Sequence, residues 1–206
     1  MKTLLEIRSS IYSDHGQSSR LADRFVAQWR AANPGDRVIV RDLAKAPVPH
    51  IDADRFGAFI AKPDLRTTEQ QAIVGYSDGL IAELKSADVI VLAVPMYNFG
   101  VPSTLKAYFD HIARAGVSFR YTDKGPVGLL TGKKAIVFAT RGGLYAGTPR
   151  DSQTPYVRTF LGFLGITDVE FVYAEGLAIS EATREEALSG ARSRIDELLQ
   201  PELQAA

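Results

Sequence analysis

Three short segments of the 206-residue chain hold the residues that could bind and orient a ligand. The first, Ser9-Ser10-Ile11-Tyr12-Ser13-Asp14-His15-Gly16-Gln17-Ser18, is rich in hydroxyls and opens directly into a helical pattern. A helix N-terminus presents unpaired N–H groups and the positive end of its dipole, a setting that favours a bound phosphate. Ser10, Gln17 and Ser18 add side-chain donors to it. The competing reading is that Ser18 only caps its helix, as serine commonly does. The second segment, Pro95-Met96-Tyr97-Asn98-Phe99-Gly100-Val101-Pro102, mixes two aromatics, a thioether and an amide. A planar ring with polar edges needs that mixture: apolar faces to lie against, and an amide or main chain for its edge. Core or interface packing competes for Tyr97 and Phe99, although the bracketing prolines place both in a loop. The third segment is Thr140-Arg141-Gly142-Gly143. Paired glycines let main chain approach a ligand and point N–H groups at its acceptors, and Arg141 adds positive charge. Taken alone, an ordinary glycine turn explains this segment equally well.

Other motifs are decoys. Gly75-Tyr76-Ser77-Asp78-Gly79 fits the G-x-S-x-G pattern, but a nucleophile elbow needs a strand before its serine, and Ser77 falls inside a helical pattern. Gly128 to Lys134 resembles a phosphate-binding loop with glycine spacing one residue short, and it precedes a strand instead of following one. Lys106 and Asp110, one helical turn apart, read as a surface pair. No G-x-G-x-x-G fingerprint occurs. The absence of cysteine excludes disulfides, thiolate metal sites and cysteine nucleophiles, and three scattered histidines offer no ligand spacing. Lys plus Arg and Asp plus Glu both total 24, which gives no reason to expect nucleic acid or a membrane surface as partner. Glu6 and Arg8 interrupt the first apolar run too early for a signal peptide, and no stretch approaches a membrane span. A cytoplasmic location is expected.

The elements that must position these segments follow from the apolar pattern. Strand-like runs at Leu4–Arg8, Val38–Val40, Asp88–Val94, Lys134–Thr140 and Val169–Ala174 alternate with helical patterns. The helices are expected at Ser18–Ala32, Thr68 to about Leu84, about Pro102 to Arg114, Pro155–Leu164 and Glu181–Leu199. A long loop is expected from Ala44 to Thr68, and another up to Gly132. Five strands alternating with five helices predict one α/β domain over residues 1–206, with a parallel sheet and helices on both faces. For the strand order 2-1-3-4-5, ligands bind beyond the carboxyl ends of the strands, between the first and third. All three segments fall at that edge.

The chain resembles the bacterial FMN-dependent NADH-azoreductases, also described as FMN-dependent NADH:quinone oxidoreductases. The resemblance spans essentially the whole sequence. It is carried by Met96-Tyr97-Asn98-Phe99, Leu105-Lys106-x-Tyr108-Phe109-Asp110, Ala113-Arg114-Ala115-Gly116-Val117-x-Phe119-Arg120-Tyr121-Thr122, Gly132-Lys133-Lys134-Ala135, Arg141-Gly142-Gly143 and Thr159-Phe160-Leu161-Gly162-Phe163-Leu164-Gly165. It implies a flavodoxin-like fold and one FMN per subunit, with NADH or NADPH as electron donor. The flavin contacts it implies are Ser10, Gly16, Gln17, Ser18, Met96 to Phe99 and Thr140 to Gly143. Gly16 and Thr140 depart from serines common in that family. A homodimer with flavin sites at its interface is implied too, with Tyr121 and Phe163 as candidate walls of a shared cleft, core packing being the competing reading for Phe163 in its apolar helix.

The expected chemistry is two-electron reduction of quinones to hydroquinones and reductive cleavage of azo compounds to amines. With no separate dinucleotide motif, donor and acceptor share one space and react in ping-pong order. No side chain is demanded as acid or base. The rival from another class is a flavodoxin-like one-electron carrier, although such carriers are shorter and more acidic than this chain.

Overall fold

Seven consecutive residues, Val89–Pro95, are buried along their whole length, and the sheet is built around them. The computed structural model describes residues 1–203, and side chains of residues 1–199. The strands are β1 (Thr3–Arg8), β2 (Arg37–Asp42), β3 (Val89–Pro95), β4 (Phe119–Thr122), β5 (Gly125–Gly128), β6 (Lys134–Thr140) and β7 (Asp168–Ala174). The helices are α1 (Gln17–Ala32), α2 (Ala53–Ile60), α3 (Thr68–Ser86), α4 (Ser103–Ile112), α5 (Gln153–Phe163) and α6 (Glu181–Leu203). The main sheet is parallel with order β2-β1-β3-β6-β7, which is the expected 2-1-3-4-5 once the small hairpin β4–β5 is set aside. Residues 204–206 of the expected single domain lie outside the described residues.

Alternation along the strands splits the core in two. Leu5, Ile7, Ile90, Leu92 and Val94 face the layer of α3, α4 and α5. Leu4, Val89, Val91, Ala93, Ile136 and Phe138 face α1 and α6. α1 contributes Leu21, Phe25, Val26 and Trp29 to the second core, one apolar stripe at helical spacing. Because β3 and β6 are covered on both faces, they read as unbroken apolar runs.

Two expected loops contain structure. In the first, Asp52 accepts a hydrogen bond from Arg55 N at 2.8 Å and starts the eight-residue α2, while Pro63–Leu65 forms a single 3-10 turn. In the second, β4 and β5 pair antiparallel around Gly125, whose φ of 107° suits only glycine. The hairpin is seated on the end of α5 by backbone contact. A Cβ added to Gly128 would lie 2.0 Å from Gly165 N. Two helix ends follow their sequence signals. Thr67 and Gln70 form a reciprocal capping box at the start of α3, and Asn33 ends α1.

Candidate active site

Ser10 is buried at the end of β1, and Tyr97 follows β3 in the adjacent strand of the sheet. The Tyr97 hydroxyl lies 3.4 Å from Ser10 Oγ and accepts a hydrogen bond from Ile11 N at 3.3 Å. Ser9 Oγ donates to Ala93 O at 2.7 Å, closing the same seam from below. On the other side of β3, Met96 N donates to Thr140 O at 2.9 Å. The segments after β1, β3 and β6 therefore meet along one carboxyl edge, where the strand order reverses.

The first segment forms one 3-10 turn at Ser13–His15 before α1 begins. The N-cap of α1 is Gly16, which makes no side-chain cap bond. Ser18 is thus not the cap. It lies in the first turn, fully buried, and its Oγ has no hydrogen-bond partner among the described residues. A buried hydroxyl without a partner is costly, so a donor left free beside the open N–H groups of a helix start marks a place for an acceptor. Ser19 Oγ is buried without a partner in the same turn. Gly16 also has a packing reason. A Cβ there would lie 2.1 Å from Ser10 Oγ and 2.5 Å from Ser10 Cβ, so any larger residue displaces Ser10.

The second segment is strained. Asn98 and Phe99 have φ of 48° and 65°, both in the left-handed region, within a two-residue turn closed by Tyr97 N to Gly100 O and Gly100 N to Tyr97 O. Such a turn suits Asn followed by Gly, and Phe at the second position costs about 1–2 kcal/mol. The turn is clamped from α5. Gln153 Nε2 donates to Pro95 O at 3.0 Å and to Gly100 O at 3.2 Å, and Ser152 Oγ donates to Phe99 O. Phe99 stays half exposed, with Tyr145 against its edge at 5.6 Å. Strain held in place by surrounding structure is characteristic of ligand-contacting loops.

The third segment supplies main chain. Among the described residues the N–H groups of Gly142 and Gly143 donate to no protein acceptor, while both carbonyls are taken by the turn before α6. Gly143 has a further reason to be glycine, since a Cβ there would lie 2.8 Å from the Tyr145 hydroxyl and 2.9 Å from its Cζ. The Arg141 charge is met inside the protein. Its guanidinium is buried and donates to Gln153 Oε1 (3.2 Å), Asp151 Oδ2 (3.0 Å), Glu175 Oε1 (3.0 Å) and Thr154 Oγ1 (2.8 Å). Two carboxylates neutralise it inside the protein. Burial works to raise the Asp151 carboxyl, yet the hydrogen bonds from Thr154 and Arg141 prevail and hold it below the usual carboxylate range.

This network contains the site residues that the sequence reading missed. Glu175 Oε1 also accepts Tyr145 N and Ala146 N, both at 2.9 Å. Arg141 therefore braces two segments at once, the Asn98–Phe99 turn through Gln153 and the Tyr145 loop through Glu175. Asp151 and Thr154 gave one local signal, since Thr154 N donates to Asp151 Oδ1 in a helix-start pattern. Gln153 and Glu175 gave none.

Tyr121 and Phe163 lie away from this edge. Both pack against Phe119, at 5.4 and 4.3 Å, and Tyr121 is 74% exposed. Tyr121 lines a hollow of about 610 Å³ with Phe56, Phe59 and Ile60. The decoys behave as such. Ser77 is buried within α3 and donates to His111 O at 2.6 Å, and Lys106 and Asp110 form an exposed pair.

A parallel sheet of this order with a phosphate-ready helix start and a clamped aromatic loop defines a flavodoxin-like protein. The family model described as "Flavodoxin-like fold" matches residues 1–199. The chain is 53% identical over 197 residues to the FMN-dependent NADH:quinone oxidoreductase of Cellvibrio japonicus, covering 96% of this chain and 98% of that one. It is 56% identical over 195 residues to FMN-dependent NADH:quinone oxidoreductase 6 of Burkholderia lata, covering 95% and 98%. The crystal structure of an FMN-dependent NADH-azoreductase from Bacillus anthracis in complex with FMN superposes with a TM-score of 0.88 at 27% identity, covering 98% and 99%. The chain belongs to the FMN-dependent NADH:quinone oxidoreductase family of flavodoxin-like enzymes.

Proposed function

We propose that the chain is an FMN-dependent oxidoreductase that passes two electrons from NADH to quinones and to aromatic azo compounds. The observation that carries this reading is the meeting of three segments around donors that lack a protein acceptor: Ser18 Oγ and the N–H groups of Gly142 and Gly143. These residues fit FMN. The N-terminal turn of α1, with Ser10, Gly16, Gln17 and Ser18, would hold the phosphate. Met96, Tyr97, Asn98 and Phe99 would lie along the ring, and Thr140, Gly142 and Gly143 would satisfy its polar edge. Arg141 acts through the loops it braces. When bound, the flavin supplies two-electron carriage between donor and acceptor.

The protein's own part is to orient and to exclude. Clamping by Gln153 and Ser152 presents Phe99 as a fixed apolar wall, and Glu175 holds the Tyr145 loop beside it. NADH and quinone occupy the same space in turn, in ping-pong order, and the quinone takes two electrons as a hydride plus one proton, the proton coming from water or the flavin. Exposed apolar residues around the edge (Ile11, Tyr12, Phe99 and Leu144) and on the hairpin side (Phe56, Ile60 and Tyr121) support a homodimer. In it, Tyr121 and Phe163 of one copy would wall the cleft of the other. No helix among the described residues is long and apolar enough to cross a membrane, and we place the enzyme in the cytoplasm.

Initial rates of NADH oxidation at several fixed quinone concentrations test the reading. Parallel double-reciprocal lines are expected. Intersecting lines contradict a single shared space, and absence of steady-state turnover with a soluble quinone favours a one-electron carrier.

A further inference from the structure

A second concave surface lies between α1 and α6, outside the three segments described above except for its contact with Gln17. Its volume is about 740 Å³, inside the range of about 300–1,000 Å³ typical of small-molecule sites. Its apolar surface comes from half-buried Leu177 and exposed Ala178, above Leu21 and Leu188, which are buried in the core beneath. Four arginines line the same cleft: Arg20 and Arg24, one turn apart on α1, and Arg184 and Arg192, two turns apart on α6.

Their partners differ in a way that points to a ligand. Arg24 is tied to Asp196 at 2.9 and 3.1 Å, yet its buried Nε has no partner. Arg192 reaches only to 3.9 Å from Glu185. Arg20 and Arg184, on opposite walls, have no carboxylate within ion-pair distance among the described residues. With Glu181 included, four guanidinium groups face three carboxylates, on a chain whose formal charge is zero. A simple anion would have no use for the apolar Leu177 and Ala178, and an apolar ligand no use for the arginines. A molecule with an apolar planar body and a phosphate tail uses both. The guanidinium fork matches phosphate oxygens two at a time and stacks on aromatic faces.

We propose that the α1–α6 cleft binds a nucleotide, its diphosphate held between Arg20 and Arg184 and its base lying over Leu177 and Ala178. The nucleotide is either the adenosine diphosphate half of the NADH donor or a free nucleotide. Only the first alternative rests on the function proposed above.

The test is calorimetric titration of the FMN-loaded protein at low salt with ADP, pyrophosphate and adenosine. ADP is expected to bind more tightly than either fragment. The double variant Arg20→Ala/Arg184→Ala should weaken ADP by about tenfold or more while FMN content stays unchanged, and Arg20→Lys/Arg184→Lys should recover part of the loss. No heat with millimolar ADP, or equal affinity in the double alanine variant, overturns the proposal. The KM for NADH then separates the sources. If it rises in the double alanine variant, the donor's tail occupies the cleft. If it holds while ADP affinity falls, the occupant is a free nucleotide. Failure of the proposed function would show as absent FMN or absent quinone reduction in the unmodified chain.

Discussion

Replacing Arg141 by methionine separates its two possible roles, because a buried brace and a ligand-facing charge fail differently. Methionine keeps most of the stem's volume and removes the guanidinium. Asp151 and Glu175 would then face one another across the vacated position with no cation between them, each still held by backbone donors, and Gln153 Oε1 and Thr154 Oγ1 would lose a donor. Both carboxylates are largely buried, so the appropriate scale is that for removing one partner of a buried ion pair, about 3–5 kcal/mol. At a urea slope of about 2 kcal/mol/M, that lowers the unfolding midpoint by about 2 M. The assay is urea denaturation of the FMN-free protein, followed through Trp29, the single tryptophan, which is buried between α1 and the sheet. Arg141→Lys should fall between, since one ammonium cannot serve four acceptors spread around a planar fork. A loss below about 1 kcal/mol in the FMN-free methionine variant, joined to a large loss of FMN affinity, refutes the brace and returns Arg141 to the ligand.

Three further outcomes follow from the same packing. Ser18→Ala removes a buried hydroxyl with no protein partner, so FMN-free stability should hold or rise slightly, while FMN affinity falls by about 1.5–3 kcal/mol in a fluorescence titration. His111 lies buried with Nε2 on Pro49 O at 3.0 Å and Nδ1 unpartnered. Burial lowers its folded-state pKa below 6.5, so the unfolded chain takes up the proton first. The stability from neutral His111 is complete above pH 6.5 and is lost as pH falls through the lower folded value. Urea midpoints at pH 8 and 5.5 should therefore differ more in the unmodified protein than in His111→Gln, and equal differences would contradict this. Gly128→Ala forces a methyl into the backbone of Leu164 and Gly165, and should cost several kcal/mol by destroying the seat of the hairpin, measured by thermal melting.

The sheet was legible because its central strands are apolar without interruption and its helices carry stripes at helical spacing. A parallel sheet with helices on both faces follows from that alternation, the structure bears out its order 2-1-3-4-5, and for that order the three segments fall at one carboxyl edge. What sequence could not reveal were elements too short to show a period. α2 has eight residues between prolines, and β4 and β5 have four each, held by the contact of Gly128 with Gly165. The three candidate segments were legible in their residue types, and the residues that brace them were not. Arg141 looks like a free cation in sequence because Asp151 and Glu175 stand 10 and 34 positions away. Ser18 looks like a cap because the true cap is Gly16, whose lack of a side chain is what admits Ser10.

The central claim is that one edge of the sheet grips FMN and that NADH reduces it there. The most direct measurement is anaerobic visible spectroscopy of the protein reconstituted with FMN and separated from the excess. One flavin per chain is expected, with absorbance that bleaches on addition of NADH and returns on addition of a quinone. Protein that emerges colourless, or a bound flavin that NADH leaves oxidised, contradicts the account.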